Sequence, residues 1–302
     1  MPELPDVEVY IERLSERFVG QSLQAVRITN PFLVRSVDPR PDAAVGHKLV
    51  SLRRMGKRLV FGWANDVYWV LHLMVAGRLK LAKPGAPVPG KLGLAAFDFA
   101  EASVLLTEAG SKRRASLTVV RGVEAADAFN PGGAEPLAID LPTFSAALTR
   151  SNHTLKRALT DPHVLSGIGN AYSDEMLWKA QLSPVTWTTR LSAEDLAKLY
   201  EAMRTTLNEW TEKLRREAIA SKDGFPEKVT AFREDMAVHG RYGKPCPRCG
   251  KAVMRIRYAD NETNYCPTCQ TGGKLLADRG LSRLLKGDWP KTLDELEARL
   301  KA

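Results

Sequence analysis

Cysteine is scarce in this chain of 302 residues: there are four, and none lies outside a single spaced quartet. Long apolar runs are missing as well. Nothing approaches the roughly 18 consecutive apolar residues a membrane helix needs, so no membrane partner is expected. The first twenty residues are densely charged and lack a continuous apolar stretch, so a secretory leader is not expected and a reducing, cytoplasmic setting is. Internal repeats and long low-complexity tracts are absent, which excludes solenoids and disordered scaffolds. Acidic residues are in deficit, 35 against 44 Lys and Arg, giving a net charge of +9 and a pI near 9.4. That imbalance points to a polyanionic partner. With 44% hydrophobic content the chain can bury a large core divided into two or three domains.

The four cysteines read Cys246-Pro-Arg-Cys249 and Cys266-Pro-Thr-Cys269. Two Cys-x-x-Cys pairs at this separation supply four thiolates, the donor set of a closed tetrahedral Zn²⁺ site. Two disulfides or a redox pair are the rival chemistries. The expected reducing compartment argues against the first, and a redox motif needs no second copy. One structural zinc ion is therefore expected. Arg241, Lys244, Arg248, Lys251, Arg255 and Arg257 surround the first pair with no acidic residue among them, and residues 253–258 alternate as a strand does. A basic β-hairpin hanging from a metal suits phosphate recognition, the plainer alternative being a solvated charged surface on a structural knob.

Along the chain, Val7, Ile11, Leu14 and Phe18 share one helical face and Gly20 ends the helix. Residues 22–120 then change to short β-rich runs at 23–28, 48–52, 59–63, 68–73, 95–99, 104–107 and 116–120, the pattern of an antiparallel sandwich or barrel. The Pro- and Gly-rich segment 83–90 reads as a surface loop. After a linker at 129–142, Thr143 is expected to cap a helix to Leu148 and Asn152 another to Leu159. A third begins near Asn170 and a long one at Ser192, with Leu196, Leu199, Met203, Leu207, Trp210 and Leu214 as its apolar stripe. Beyond Gly273 two helical stretches, 274–285 and 292–300, are expected, the second capped by Thr292.

Pro2 raises a chemical possibility. Proline at position 2 commonly lets Met1 be removed, which leaves a secondary amine at the terminus. A terminal α-amine titrates near 8 rather than near 10.4 as lysine does, so far more of it is nucleophilic at neutral pH. Its condensation with an aldehyde carbon gives an iminium electron sink, and Glu3 is adjacent as a general acid. Taken alone, the same proline is an ordinary helix-start residue. Further segments stand beside it: 1–8 (Met-Pro-Glu-Leu-Pro-Asp-Val-Glu), the basic cluster 53–59, His72-Leu-Met-Val-Ala-Gly77, Gly167-Ile-Gly169-Asn170-Ala-Tyr172, 239–246 and Tyr265-Cys-Pro-Thr-Cys-Gln270. In this order they resemble the formamidopyrimidine-DNA glycosylase and endonuclease VIII family of base-excision repair enzymes, over residues 1 to about 270.

The resemblance implies an α+β multidomain fold: an N-terminal helix with a β-sandwich (1–130), a helix–two-turns–helix module (131–235), a zinc hairpin (236–272) and a basic helical tail (273–302). It implies a glycosylase with abasic-site lyase activity acting on double-stranded damaged DNA as a monomer. Pro2 matches the nucleophile, Glu3 the acid for sugar-ring opening, and Lys57 a lysine that contacts phosphate beside the lesion. Gly169 and Asn170 match a phosphate-binding hairpin. Val75 lies where a larger residue fills the space left by a flipped nucleotide, with Met74 able to share that task. The chain also departs from the pattern. Asp6 stands for a more usual glutamate. Arg113, in a charged segment without an aromatic wedge, occupies the region that probes the opposite strand. Asn261 replaces an arginine that grips phosphate, which implies a β-elimination product. Residues 217–237 show little of a lesion-capping loop. A non-catalytic binder of abasic DNA and an unrelated zinc-ribbon protein of RNA metabolism are the competing classes.

Overall fold

A computed structural model describes all residues except 111, 228–232, 259–260, 278–283, 285–287 and 302, and the side chains at 258, 261, 297, 300 and 301. It divides into two compact units: Met1–Pro131 with Asn208–Ala231, and Gly132–Leu207 with Phe232–Ala302. No described helix is long and apolar enough to cross a membrane.

The first unit opens with α1 (Leu4–Phe18), whose first turn holds Pro5, where a missing N–H costs nothing. Eight strands follow: β1 (Ala25–Ile28), β2 (Leu49–Met55), β3 (Arg58–Trp63), β4 (Val67–His72), β5 (Gly77–Ala82), β6 (Gly93–Asp98), β7 (Ser103–Glu108) and β8 (Ser116–Arg121). They form two antiparallel sheets of four strands, ordered β1-β6-β7-β5 and β2-β3-β4-β8. The expected sandwich is present, with one strand added. β5 alternates Arg78 and Lys80 with Leu79 and Leu81, a short pattern easily merged with the motif before it and the loop after it.

One core joins α1 to both sheets. Val7, Tyr10, Ile11, Leu14 and Phe18 pack in the same cluster as Trp63, Trp69, Phe97 and Phe99, and Trp63 and Trp69 lie 4.8 Å apart between ring centres. Each fully buried side chain of this size contributes roughly 1.5–3 kcal/mol. The C-terminal part of a long helix, α6 (Ala193–Ala220), belongs to this unit too. Leu214 and Ala218 pack on Val9, and the Arg215 guanidinium forks onto both Glu12 carboxylate oxygens at 2.7 and 2.6 Å. The turn after α6 is tied down by Phe225, buried against Tyr10.

After the short α2 (Val123–Asp127) of the first unit, the second unit's α3 (Leu141–Thr149), α4 (Leu155–Thr160), α5 (Asn170–Ala180) and the first half of α6 form the helical module. Three caps differ from or match the sequence expectation for local reasons. Asp140, not Thr143, caps α3, because its carboxylate accepts the Thr143 N–H at 2.9 Å. α4 is capped at Thr154 rather than Asn152, since Thr154 is extended and the His153 N–H just before it donates to the Thr188 hydroxyl at 3.2 Å. Ser192 does cap α6, its hydroxyl accepting the Asp195 N–H at 3.1 Å. Leu199, Met203 and Leu207 are buried as expected, with Leu196 half-buried.

The zinc hairpin is β9 (Met254–Tyr258) paired antiparallel with β10 (Asn261–Tyr265), then α7 (Pro267–Thr271). In the tail, 275–277 are not helical, contrary to expectation, and most of 278–287 lies outside the described residues. A final helix, Leu293–Lys301, is capped by the Thr292 hydroxyl on the Glu295 N–H.

Candidate nucleic-acid site and metal centre

In the first unit the chemistry gathers at the start of α1. Pro2 is buried, and Glu3 and Asp6 are each only 2% exposed. Glu3 is the N-cap residue, and its N–H donates to Asp6 Oδ2 at 2.9 Å, the backward half of a capping box. Asp6 Oδ1 is buried without a hydrogen-bond partner among the described residues. Burial, reinforced by the Glu3 charge and opposed by that backbone N–H and by Arg78, pushes the Asp6 carboxyl up to about 7. The Met1 α-amine is held below its ordinary value, first by burial; Arg78 and Lys57 push it further down while Glu3 and Asp6 oppose them. The amine thus stands at the positive end of a helix, where burial and two cations disfavour its charged form and two carboxyl groups favour it.

Lys57 reaches this end of the unit from the two-residue turn between β2 and β3, where Met55 pairs with Arg58 and Gly56 takes φ +61°. A left-handed residue is required there, and glycine adopts it without strain. Arg54 fastens the turn to α1: its Nε donates to Glu8 Oε1 at 2.5 Å and its Nη1 to the Gly56 carbonyl at 3.0 Å.

Met74 and Val75 lie in the turn between β4 and β5. Val75 is 61% exposed, and Met74 has φ +52°, an unusual conformation for a long side chain. His72 holds it: the Met74 N–H donates to His72 Nδ1 at 3.0 Å. That bond needs an imidazole unprotonated at Nδ1. Burial first, then the Arg58 and Lys57 charges, lower the His72 pKa to about 4, so the ring stays neutral. Arg113 stands apart from these groups. It is exposed, and donates to the Lys91 carbonyl. Its loop is anchored by buried Glu108, which accepts the Arg114 and Ala115 N–H groups at 3.0 Å each.

In the second unit Gly169 is the N-cap of α5, a largely buried helix, with Gly167 at φ +78° before it, and a helix N-terminus is a place that favours an anion. Asn170 Nδ2 donates to the Glu262 carbonyl on β10 at 2.7 Å, a tie between helix and hairpin that its own motif does not announce. Beneath it sits a polar hub missed from sequence. Lys156 Nζ donates to Asn170 O, Ser173 Oγ and Asp174 Oδ1 at 2.6, 2.8 and 2.5 Å. Asp174 Oδ2 takes the Asn264 N–H at 3.1 Å and meets His239 Nδ1 at 2.8 Å. Glu175 accepts the N–H groups of Ala237, Val238 and His239, so the chain entering the metal module is clamped to α5. On the hairpin, Glu262 draws Arg255 to 3.2 Å and Arg257 to 3.6 Å, and Arg255 lies over the Tyr242 ring at 4.0 Å. The Asn261 side chain lies outside the described residues.

The four cysteine sulfurs lie within 4.8 Å of one another, with Cys249–Cys266 at 3.4 Å and Cys246–Cys269 at 4.0 Å. Sulfurs around a tetrahedral zinc at about 2.3 Å stand about 3.8 Å apart, so the donors fit the ion. Burial pushes the Cys266 and Cys269 thiols up; thiolates packed this closely need a cation among them. Outer partners hold the ligands in place: Trp178 Nε1–H donates to Cys246 Sγ at 3.3 Å, and the Cys266 N–H donates to Gln270 Oε1 at 2.8 Å. This is a site for one structural zinc.

Three family models match in order: formamidopyrimidine-DNA glycosylase N-terminal domain at residues 1–114, its H2TH domain at 133–220, and the zinc finger found in FPG and IleRS at 243–272. The formamidopyrimidine-DNA glycosylase of Heliobacterium modesticaldum is 32% identical over 277 residues, 89% of this chain and all of that one. The enzyme of that name from Thermus thermophilus is 33% identical, over 90% of this chain and all of the relative. An uncharacterized formamidopyrimidine-DNA glycosylase-like protein of Mycobacterium tuberculosis is 43% identical over 52% of this chain and 96% of its own. Among solved structures, Lactococcus lactis Fpg in complex with abasic-site DNA superposes with a TM-score of 0.78 at 26% identity, covering 89% of this chain and 99% of that one. Matched from its buried N-terminal helix to its four-cysteine hairpin, the chain belongs to the formamidopyrimidine-DNA glycosylase family of DNA glycosylases.

Proposed function

We propose that the protein is a bifunctional DNA glycosylase and abasic-site lyase with Pro2 as its nucleophile. On this reading Met1 is removed and the Pro2 nitrogen becomes the terminal amine. Its lone pair attacks C1′ of a flipped, damaged nucleotide, and the N-glycosidic bond breaks with its electrons leaving on the base, which takes up a proton. Glu3 protonates O4′ as the sugar ring opens, giving an iminium at C1′. A proton then leaves C2′, the C3′–O bond breaks, and the 3′ strand departs with the phosphate. Water hydrolyses the iminium and frees the amine.

The observation that carries this reading is the start of α1: Pro2 is buried beside two nearly inaccessible carboxyl groups, Glu3 and Asp6, and the Met1 amine one residue before it lies within the field of Arg78 and Lys57. Lys57 holds phosphate beside the lesion, and Met74 and Val75 fill the vacated space. Gly169, Asn170, Arg113 and the zinc hairpin grip the backbone of duplex DNA. The substrates are oxidised or ring-opened bases, a class supported by the relatives' names and by the L. lactis complex with N7-benzyl-Fapy-dG DNA. The reading includes the four-part division at residues 130, 235 and 272, a monomeric state and a place on the nucleoid in the cytoplasm. Borohydride reduction on an abasic duplex tests it: a covalent adduct is expected with the terminus at Pro2, and tight binding without adduct leaves only a DNA-binding scaffold.

A further inference from the structure

The turn that presents Met74 and Val75 closes on itself through Arg78. The Gly77 N–H donates to the Leu73 carbonyl at 2.9 Å, and a Cβ on Gly77 would meet that oxygen at 2.2 Å, so only glycine permits the closure. The next residue, Arg78, turns its guanidinium back over the loop, donating from Nη1 to the Gly77 carbonyl at 2.7 Å and to the Val75 carbonyl at 3.3 Å. Its position on the strand is fixed from both sides. Arg78 pairs with Thr107 on β7. Leu79 is held by the Tyr10 hydroxyl, which accepts the Leu79 N–H at 3.3 Å and donates to the Leu79 carbonyl at 3.4 Å. Tyr10 stands one helical turn beyond Asp6 on α1, so the start of β5 is fastened to the helix that Pro2 and Glu3 begin.

We infer that Arg78 is a positioning residue for the reaction: its Nη1, shared between the Gly77 and Val75 carbonyls, sets the Met74–Val75 turn, and its charge acts on the chain terminus and Asp6. The inference rests on the reading of Pro2 as nucleophile. No sequence motif assigned Arg78 a role, because it stands one residue past the recognisable His72–Gly77 segment. The electrostatics agree with the geometry. After burial, Arg78 comes ahead of Lys57 among the cations holding the Met1 amine down, and it opposes the effect of burial on Asp6 and Tyr10. The charged groups around the Met1 amine are thus Glu3 and Asp6 from α1, Lys57 from the β2–β3 turn and Arg78 from β5, and loss of Met1 leaves the Pro2 nitrogen, one residue on, as the amine they act on. Two jobs in one guanidinium explain why a lysine, which keeps the charge but not the longer planar head laid back over the turn, is not its equal.

Two variants separate the jobs. Arg78→Lys keeps the charge without the guanidinium laid over the turn, and Arg78→Gln keeps a carbonyl-directed donor without the charge. Both are checked for unchanged melting temperature and one zinc per chain. Each is then assayed for single-turnover base release from a lesion duplex and for the pH dependence of borohydride trapping on abasic duplex. In Arg78→Gln the rising limb of trapping should move up by about 1 pH unit, about a tenfold loss of neutral amine below it. In Arg78→Lys that limb should stay in place while base release slows about tenfold at unchanged affinity, the size of a lost orienting contact. Wild-type behaviour in both variants, or equal slowing in both with the limb unmoved, overturns the inference. If the wild-type protein itself forms no adduct, it is the reading of Pro2 that fails; normal wild-type trapping beside either overturning pattern indicts Arg78 alone.

Discussion

Replacing Asp6 with asparagine should make the protein more stable at alkaline pH. The folded chain holds a proton on Asp6 up to about pH 7, whereas the ordinary carboxyl releases it near 3.8. Between those values the folded state binds more protons than the unfolded one. Stability therefore falls as pH rises through that window and stays reduced above it. A displacement of about 3 units at about 1.4 kcal/mol each gives a penalty on the order of 4 kcal/mol at pH 8, an upper bound because buried sites relax. The asparagine carbonyl can still accept the Glu3 N–H that Asp6 Oδ2 accepts now, so the helix cap survives. The assay is thermal unfolding of wild type and Asp6→Asn from pH 4.5 to 8.5. The variant should gain on wild type as pH rises, by about 2–4 °C per kcal/mol for a unit of this size. Parallel curves across the window would refute the assignment of the raised pKa to Asp6.

Other outcomes are specific. Glu3→Gln should slow single-turnover base release by about 10²–10⁴-fold, measured by product gels, while affinity for abasic duplex is kept. Trp178→Phe removes the indole N–H from Cys246 Sγ and should weaken zinc binding about 10–100-fold in a chelator competition. Gly77→Ala should depress both melting temperature and base release, because its Cβ would collide with the Leu73 carbonyl. Cut abasic duplex should carry mainly the β-elimination end, since Asn261 brings no positive charge; a dominant 3′-phosphate on a sequencing gel would contradict this.

Features written in neighbouring residues were legible in the sequence. The apolar face of α1, the Ser192 cap, the cysteine pairs and the alternating strands each depend on spacings of four residues or fewer. β5 was missed although it alternates, because four alternating residues between a motif and a Pro-rich loop carry little weight. The cap of α3 was misplaced for a related reason: Asp140 and Thr143 are both good caps, and only backbone geometry chooses between them. The hub around Asp174 was invisible in principle. Its partners stand 18, 65 and 90 residues away, and nothing local marks a carboxylate that three distant segments will share. At the candidate site, Pro2, Glu3 and Lys57 could be named from motifs, whereas Arg78 and the neutral His72 acquire meaning only once the turn they brace is folded.

Zinc has no colour and no unpaired electron, so its presence usually goes unseen in solution. Here the indole of Trp178 is bonded to a metal-ligand sulfur on one side and covered by the Arg248 guanidinium at 4.4 Å on its face. Converting that sulfur between thiol and zinc-bound thiolate changes the ring's electrical surroundings, and with them its fluorescence. The difference in emission between wild type and the phenylalanine variant should therefore act as an optical gauge of metal occupancy that the protein carries within itself.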